Sequence, residues 1–218
     1  MSRTLKRCIT IWLLCSSWSA GYIAQAQTPP ASLPARDTHD GLTISADPYL
    51  SADRYKDRFG KKNPYDAGIM AIDIYLRNEN DKPIRVGLDT IRLVLRPEGH
   101  DRQRIEPMKV EDVADQILVP GGPNPTVSRK PLPGHKPKAG RGKDWQELVS
   151  VLRGVGLDSD LVPPHGYIHG FLYFDMDYHF EWISSGDLYF PDLKFFPEQK
   201  ALLYFEVSLA SVRVPAAK

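Results

Sequence analysis

The stretch from Gly68 to Arg96, GIMAIDIYLRNENDKPIRVGLDTIRLVLR, constrains the fold more than any other part of this chain. Met70, Ile72, Ile74 and Leu76 alternate with Ala71, Asp73, Tyr75 and Arg77. A repeat of two residues puts one set on a buried face, the pattern of a β-strand. Asn78 to Pro83 (NENDKP) gathers turn formers, and Asp81 and Pro83 stop the strand. The alternation restarts at Ile84, Val86 and Leu88, then resumes one residue out of phase at Ile91, Leu93 and Leu95. The expected structure is a hairpin whose second arm carries either a β-bulge or a crossing between sheets at Asp89-Thr90. Such a stretch belongs to the core of an all-β domain.

The first 26 residues are expected to stand apart from that domain. Arg3, Lys6 and Arg7 precede a short apolar run from Cys8 to Trp18, and Ala24-Gln25-Ala26 supplies a small-x-small cleavage site before Gln27. These are the parts of a secretory signal peptide. The run is too short and too interrupted by Ser and Gly for a stable transmembrane helix, so no membrane span is expected after cleavage. Leu13 and Leu14 before Cys15 argue against a lipid-modified cysteine. Both cysteines of the chain, Cys8 and Cys15, lie in this segment. The mature protein would then have no disulfide, thiol nucleophile or thiolate metal site. Without Arg3, Lys6 and Arg7 the 28 basic residues become 25 against 27 acidic ones, a net charge of −2. That balance excludes the strongly basic class of nucleic-acid binders.

Residues 27–40 (QTPPASLPARDTHD) are expected to form a disordered leader, with Leu33 their only large apolar side chain. Residues 41–214 are expected to form one domain. Gly41 to Tyr49 is the first strand, ended by Pro48. Asp53 to Asn63 suits a short helix closed by Gly60, with Tyr55 and Phe59 on one side. An insertion at 97–157 opens with a polar loop. A helix is expected over Pro107 to Leu118, with Pro107 in its first turn and Val110, Val113, Ala114, Ile117 and Leu118 on its apolar face. A second begins at Asp144, which has capping-box spacing to Glu147, and buries Trp145, Leu148, Val149 and Leu152. Tyr167 to Asp175 reads as a central strand, apolar on both faces. Trp182 to Phe190 is a further turn-strand unit with its turn at Ser184 to Asp187, and Ala201 to Ala210 alternates with Leu203, Phe205, Val207 and Leu209 inward. About seven strands at irregular spacing suit a β-sandwich with one large insertion.

Two segments, IDIYLRNENDKPIRVGLDTIRLV (Ile72 to Val94) and PPHGYIHGFLYFD (Pro163 to Asp175), resemble secreted bacterial immunoglobulin-like domains of the telokin-like type. The resemblance covers about half of the mature chain. It implies an immunoglobulin-like antiparallel β-sandwich, here with two short inserted helices, and a place in the cell envelope. It implies no reaction.

Chemistry-bearing residues are sparse. His165 and His169 are four apart, which in a strand is about 13 Å, too far to share a metal ion. Asp175, Asp177 and His179 fall in a turn without a glycine-containing calcium-loop pattern. No G-x-S-x-G elbow marks a nucleophile, and no cofactor motif is present. Two surfaces stand out as interaction candidates. One is the acid-free loop carrying Arg129, Lys130, Lys136, Lys138, Arg141 and Lys143. The other is an aromatic set, Tyr173, Tyr178, Phe180, Trp182, Tyr189 and Phe190, within which Tyr178 and Trp182 are expected to be exposed and, with His179 between them, to form the candidate surface. Planar side chains suit stacking on sugars or anchoring a protein. The expectation is an exported, non-enzymatic envelope protein, periplasmic or secreted, acting as an interaction or scaffold module toward an envelope protein, a glycan or an anionic surface. Alternatives are a periplasmic binder of a small ligand, metal or glycan, and a hydrolase with a carboxylate pair that no motif marks.

Overall fold

The computed structural model describes residue 33 and residues 35–118 and 142–212 of the chain. Residues 1–26, expected to be a signal peptide, lie outside these residues, as do Arg129, Lys130, Lys136, Lys138 and Arg141 of the basic loop.

Three antiparallel sheets of four strands each make up a mainly β structure. The first sheet runs in the order β1 (Ala35–His39), β2 (Leu42–Pro48), β3 (Ile69–Asn78) and β8 (Tyr167–Asp175). The second has β11 (Lys200–Ala201), β10 (Leu193–Phe195), β4 (Ile84–Val86) and β7 (Leu161–Val162). The third has β12 (Phe205–Ser208), β9 (Gly186–Phe190), β5 (Arg92–Leu95) and β6 (Gln103–Ile105). One hydrophobic core joins them. Ile44, Met70, Ile72, Ile74, Leu76, Leu172 and Phe174 of the first sheet pack with Ile84, Val86 and Leu193 of the second and Leu93, Leu95, Leu188, Phe205 and Val207 of the third.

The opening stretch departs from a hairpin. β3 pairs with β2 and β8, whereas β4 pairs with β10 and β7, so the Asn78–Pro83 turn carries the chain from one sheet to another. The cause is the fully buried Asn78 side chain. Its Nδ2 donates to Lys82 O (2.7 Å), Pro163 O (3.2 Å) and Val162 O (3.4 Å), and its Oδ1 accepts from Asn80 N (2.9 Å). These bonds tie the turn to the β7–β8 connection instead of folding β4 back on β3. The phase slip at Asp89-Thr90 is a 3₁₀ turn, Leu88–Thr90, where the chain passes from the second sheet to the third. The expected sheet crossing is there.

A second hydrophobic cluster covers the outer face of the first sheet. β3 and β8 contribute Ile69, Ala71, Phe171 and Tyr173. The helices α1 (Ala52–Phe59), α2 (Val110–Leu118) and α3 (Lys143–Val155) contribute Tyr55 and Phe59, Val113 and Ala114, and Leu148, Val149 and Leu152. Burial on both faces explains the aromatic run in β8. That strand nonetheless stands last in its sheet order, not at the centre as expected, and its outer edge is met by Gly156 and Leu157, whose N–H donates to Phe171 O at 3.0 Å. Backbones approach closely there: a Cβ on Gly170 would lie 2.6 Å from the Gly156 carbonyl carbon and oxygen and from Leu157 N. Gly170→Ala is therefore expected to force the α3–β8 connection outward and to lower stability by about 1–3 kcal/mol. The check is the urea midpoint, with Gly154→Ala, whose site is open and whose place in α3 should hold or raise stability, as the control.

Other expectations need correction. Ala35–His39, assigned to the disordered leader, forms β1 in register with Leu42–Ala46, because Asp40 and Gly41 make the tight reversal between them (φ 48° and 70°). Helix α2 starts at Val110, leaving Pro107 in the extended approach where Met108 N donates to Tyr173 O. Gly142, not Asp144, occupies the N-cap of α3, and Asp144 instead pairs with Lys62 at 2.8 Å. Residues 103–105, expected within the helical insertion, pair with β5 as an edge strand. The last expected strand is two strands, β11 and β12, in different sheets. The change of sheet at residues 202–204 turns Leu203 out to solvent (67% exposed), while Phe205, Val207 and Leu209 face the core as expected. The described residues thus hold twelve strands rather than about seven, many only two to four residues long.

Candidate functional site

The outer face of the third sheet carries a cleft of 680 Å³. Alternation along β5 sends Leu93 and Leu95 inward and leaves Arg92, Val94 and Arg96 on the outer side. Pairing then sets Arg92 beside Tyr189 of β9, Tyr189 beside Glu206 of β12, and Val94 beside Arg104 of β6. Buried Val94 forms an apolar floor. Tyr189, Pro191 and Tyr204 stand toward β12, with the two tyrosine rings 5.4 Å apart, and Arg92, Arg102 and Arg104 stand toward β6. Four strands at about 4.8 Å spacing make the cleft roughly 14 Å across.

Its charges are unevenly compensated. Arg92 pairs with Glu106 at 2.8 Å and donates to Asp89 O, which fixes its guanidinium. Arg96 bonds both Asp187 and Glu206, so the cleft's carboxylate already has a cation. Arg102 and Arg104 are exposed and make no hydrogen bond or ion pair among the described residues. A guanidinium presents a planar fork of donors that fits carboxylate, sulfate or phosphate oxygens. Two such forks above an apolar floor, facing an aromatic pair, form a surface for an anionic ligand with a flat apolar face.

A second polar group lies on the outer face of the first sheet, where the helices stop covering it. Asp73 is mostly buried, accepts from Tyr75 Oη at 3.2 Å, and has its other oxygen 3.8 Å from His169 Nδ1. Tyr75 stacks on His169 with centroids 5.1 Å apart. Asp47, directly across the ladder from Asp73, is held by both guanidinium nitrogens of Arg54, which lies over the Tyr49 ring. Burial raises the pKa of the Asp73 carboxyl above its ordinary value, against the opposing pull of His169, the Tyr75 hydroxyl and Arg58 and with the repulsion of Asp47. Burial likewise raises the Tyr75 phenol. A carboxyl whose folded pKa is raised contributes stability that is full below its unfolded pKa, near 3.9, and lost as pH rises through the folded value. Asp73→Asn is expected to remove that loss. Its stability relative to the native protein should climb as pH rises from below the ordinary carboxyl range toward neutrality. Urea midpoints across that range test it, and a constant difference would refute it.

The residues singled out from sequence are dispersed. Lys143 opens α3 on its exposed side, 3.6 Å from Glu147. Tyr178 is exposed, its hydroxyl donating to Asp66 O at 3.2 Å, whereas His179 stacks flat on Trp182 at 4.1 Å and meets Glu181 at 3.1 Å. Trp182 is half-buried and packs on the main core. Tyr178 thus leans on the turn before β3 while His179 and Trp182 pair with each other. Asp177 N donates to Asp175 Oδ1, an Asx turn. His165, in the turn before β8, meets Asp81 at 2.8 Å, while His169 within the strand lies near Asp73. Among the described residues no group of three or more His, Cys, Asp or Glu is placed to hold a metal ion. No helix among them is long and apolar enough to cross a membrane. Of the aromatic set, Tyr189 alone reaches the cleft. Arg92, Arg102, Arg104 and Tyr204 were not foreseen; the outward alternation of Arg92 with Arg96, and of Arg102 with Arg104 around Gln103, was the available signal.

The sequence has no significant match among protein families or curated proteins. Among solved structures, the chain is similar to a functionally unknown protein from Listeria monocytogenes EGD-e, at 13% identity over 71% of this chain and 67% of that one, with a TM-score of 0.32.

Proposed function

We propose that this protein is an exported, non-enzymatic binding module of the cell envelope, built on an immunoglobulin-like framework, that holds an anionic ligand on the outer face of its third sheet. The observation that carries the ligand class is the pair of arginines, Arg102 and Arg104, whose side chains have no partner among the described residues, beside Arg92 and the Tyr189–Tyr204 pair in one cleft. Export is supported by the basic and apolar residues before Gln27 and by the small-x-small site Ala24-Gln25-Ala26. The immunoglobulin-like assignment is supported by a contact between its two characteristic segments: the Asn78 side chain of one donates to the Pro163 carbonyl that begins the other.

Binding of this kind requires charge more than precise chemistry, so a simple polyanion is a sufficient probe. The purified protein should bind polyglutamate in calorimetry at low salt, with affinity falling as salt is raised. The double substitution Arg102→Ala/Arg104→Ala should weaken that binding at least tenfold with little change in thermal midpoint, because both side chains are exposed. Unchanged binding by the double variant would remove the cleft as the contact surface.

A further inference from the structure

We infer that the ligand of this cleft is an acidic oligosaccharide, lying across the sheet with its acid groups on the β6 arginines and a sugar ring on the tyrosines; this rests on the anion-binding role just proposed. The two ends of the cleft differ in chemistry. On the β6 side Arg102 and Arg104 offer only donors, and no carboxylate neutralises them among the described residues. On the β12 side stands Glu206, whose carboxylate offers acceptors and whose charge is shared with Arg96. A ligand whose only polar side groups are carboxylates would meet Glu206 as a like charge. A uronic acid chain carries free hydroxyls beside the carboxylate of each sugar unit, so its carboxylates accept from the guanidinium groups while a hydroxyl donates to Glu206.

The aromatic pair supplies the third requirement. Tyr204 is 54% exposed and Tyr189 half-buried, with ring planes inclined at 52° rather than stacked. The inclined Tyr204 ring is left with free aromatic area, the surface on which the C–H face of a pyranose packs, and each phenol adds a polar handle for a hydroxyl. A flexible acidic peptide offers no flat face of that kind and pays more ordering entropy in binding. A volume of 680 Å³ lies within the range of sites for compact ligands.

The test titrates the purified protein by calorimetry with oligogalacturonate, a neutral oligoglucose of matched length, and polyglutamate, using the native chain, Arg102→Ala/Arg104→Ala and Tyr204→Ala. Acidic sugar binding tightest, weakened at least tenfold by the double arginine variant and severalfold by Tyr204→Ala, supports the inference, provided Tyr204→Ala leaves polyglutamate binding unchanged. Polyglutamate binding as tightly as oligogalacturonate, with Tyr204→Ala silent toward both, overturns the sugar and keeps the anion site. Equal binding of neutral and acidic sugar with the arginine variant silent overturns both, as does failure of both anions to bind, whereas failure of oligogalacturonate alone overturns the sugar.

Discussion

Replacing Asn78 with alanine is expected to lower the unfolding free energy by about 3–4 kcal/mol, a large fraction of the total stability of an ordinary domain. Asn78 is fully buried, and its amide has no slack in orientation: three carbonyls, of Lys82, Val162 and Pro163, face Nδ2, while the Asn80 backbone N–H and side-chain amide face Oδ1. Alanine leaves those buried groups without partners in a space too small to hydrate them well, and each unsatisfied group costs about 1–3 kcal/mol. Asn78→Asp keeps the shape of the side chain but turns an acceptor toward the three carbonyls. That variant should be at least as unstable as Asn78→Ala at neutral pH and should recover on acidification, when a protonated carboxyl can donate again. Chemical denaturation of both variants at pH 4 and 7 reads this out; losses under about 1 kcal/mol for both would show that the crossing between sheets does not depend on Asn78.

The second large effect is expected at Tyr55. Its ring is fully buried in the cluster beneath the helices, and its hydroxyl is built into the first sheet, accepting from Ala71 N at 2.7 Å and donating to Ile69 O at 3.3 Å. β2 ends at Pro48, and the next residue, Tyr49, donates its N–H to Ala71 O. The hydroxyl therefore takes the ladder place that a continuing strand would have filled at Ala71 N–H. Tyr55→Phe should cost about 1–3 kcal/mol through that orphaned donor, and Tyr55→Ala about 3–5 kcal/mol by adding a cavity. Hydrogen exchange at the Ala71 amide separates the two effects. It should accelerate in Tyr55→Phe while the amides of the inner strands stay protected; an unchanged Ala71 rate would show that the hydroxyl is not its partner.

Much of the fold was legible wherever one element was long enough to show its period. β2 and β3 were visible as alternation, α1 and α3 as apolar faces that do pack on the sheet, and the phase slip at Asp89-Thr90 as a bulge or a change of sheet, of which the second is found. Strands of two or three residues such as β6, β7 and β11 contain too little chain to display a repeat of two. Partner choice was illegible for a different reason. β3 and β4 are neighbours in sequence with a good turn between them, and only the long-range bonds of Asn78 to residues 162 and 163 show why they separate. The candidate site suffers from the same limit. Arg92, Arg104, Tyr189 and Glu206 acquire a common surface only through the order β12–β9–β5–β6, which joins segments about a hundred residues apart. Charge clustering in sequence pointed instead to the loop before Lys143, and the cleft's arginines were spread through what read as a strand end and a polar loop.

Ligand-induced amide shifts of the isotope-labelled protein test the central claim most directly. On titration with oligogalacturonate, the shifts are expected to concentrate on Arg92, Val94, Gln103, Arg104, Tyr189 and Tyr204–Glu206 and to vanish in Arg102→Ala/Arg104→Ala. Shifts centred on the helices over β3 and β8, or spread evenly without regard to the third sheet, would contradict it.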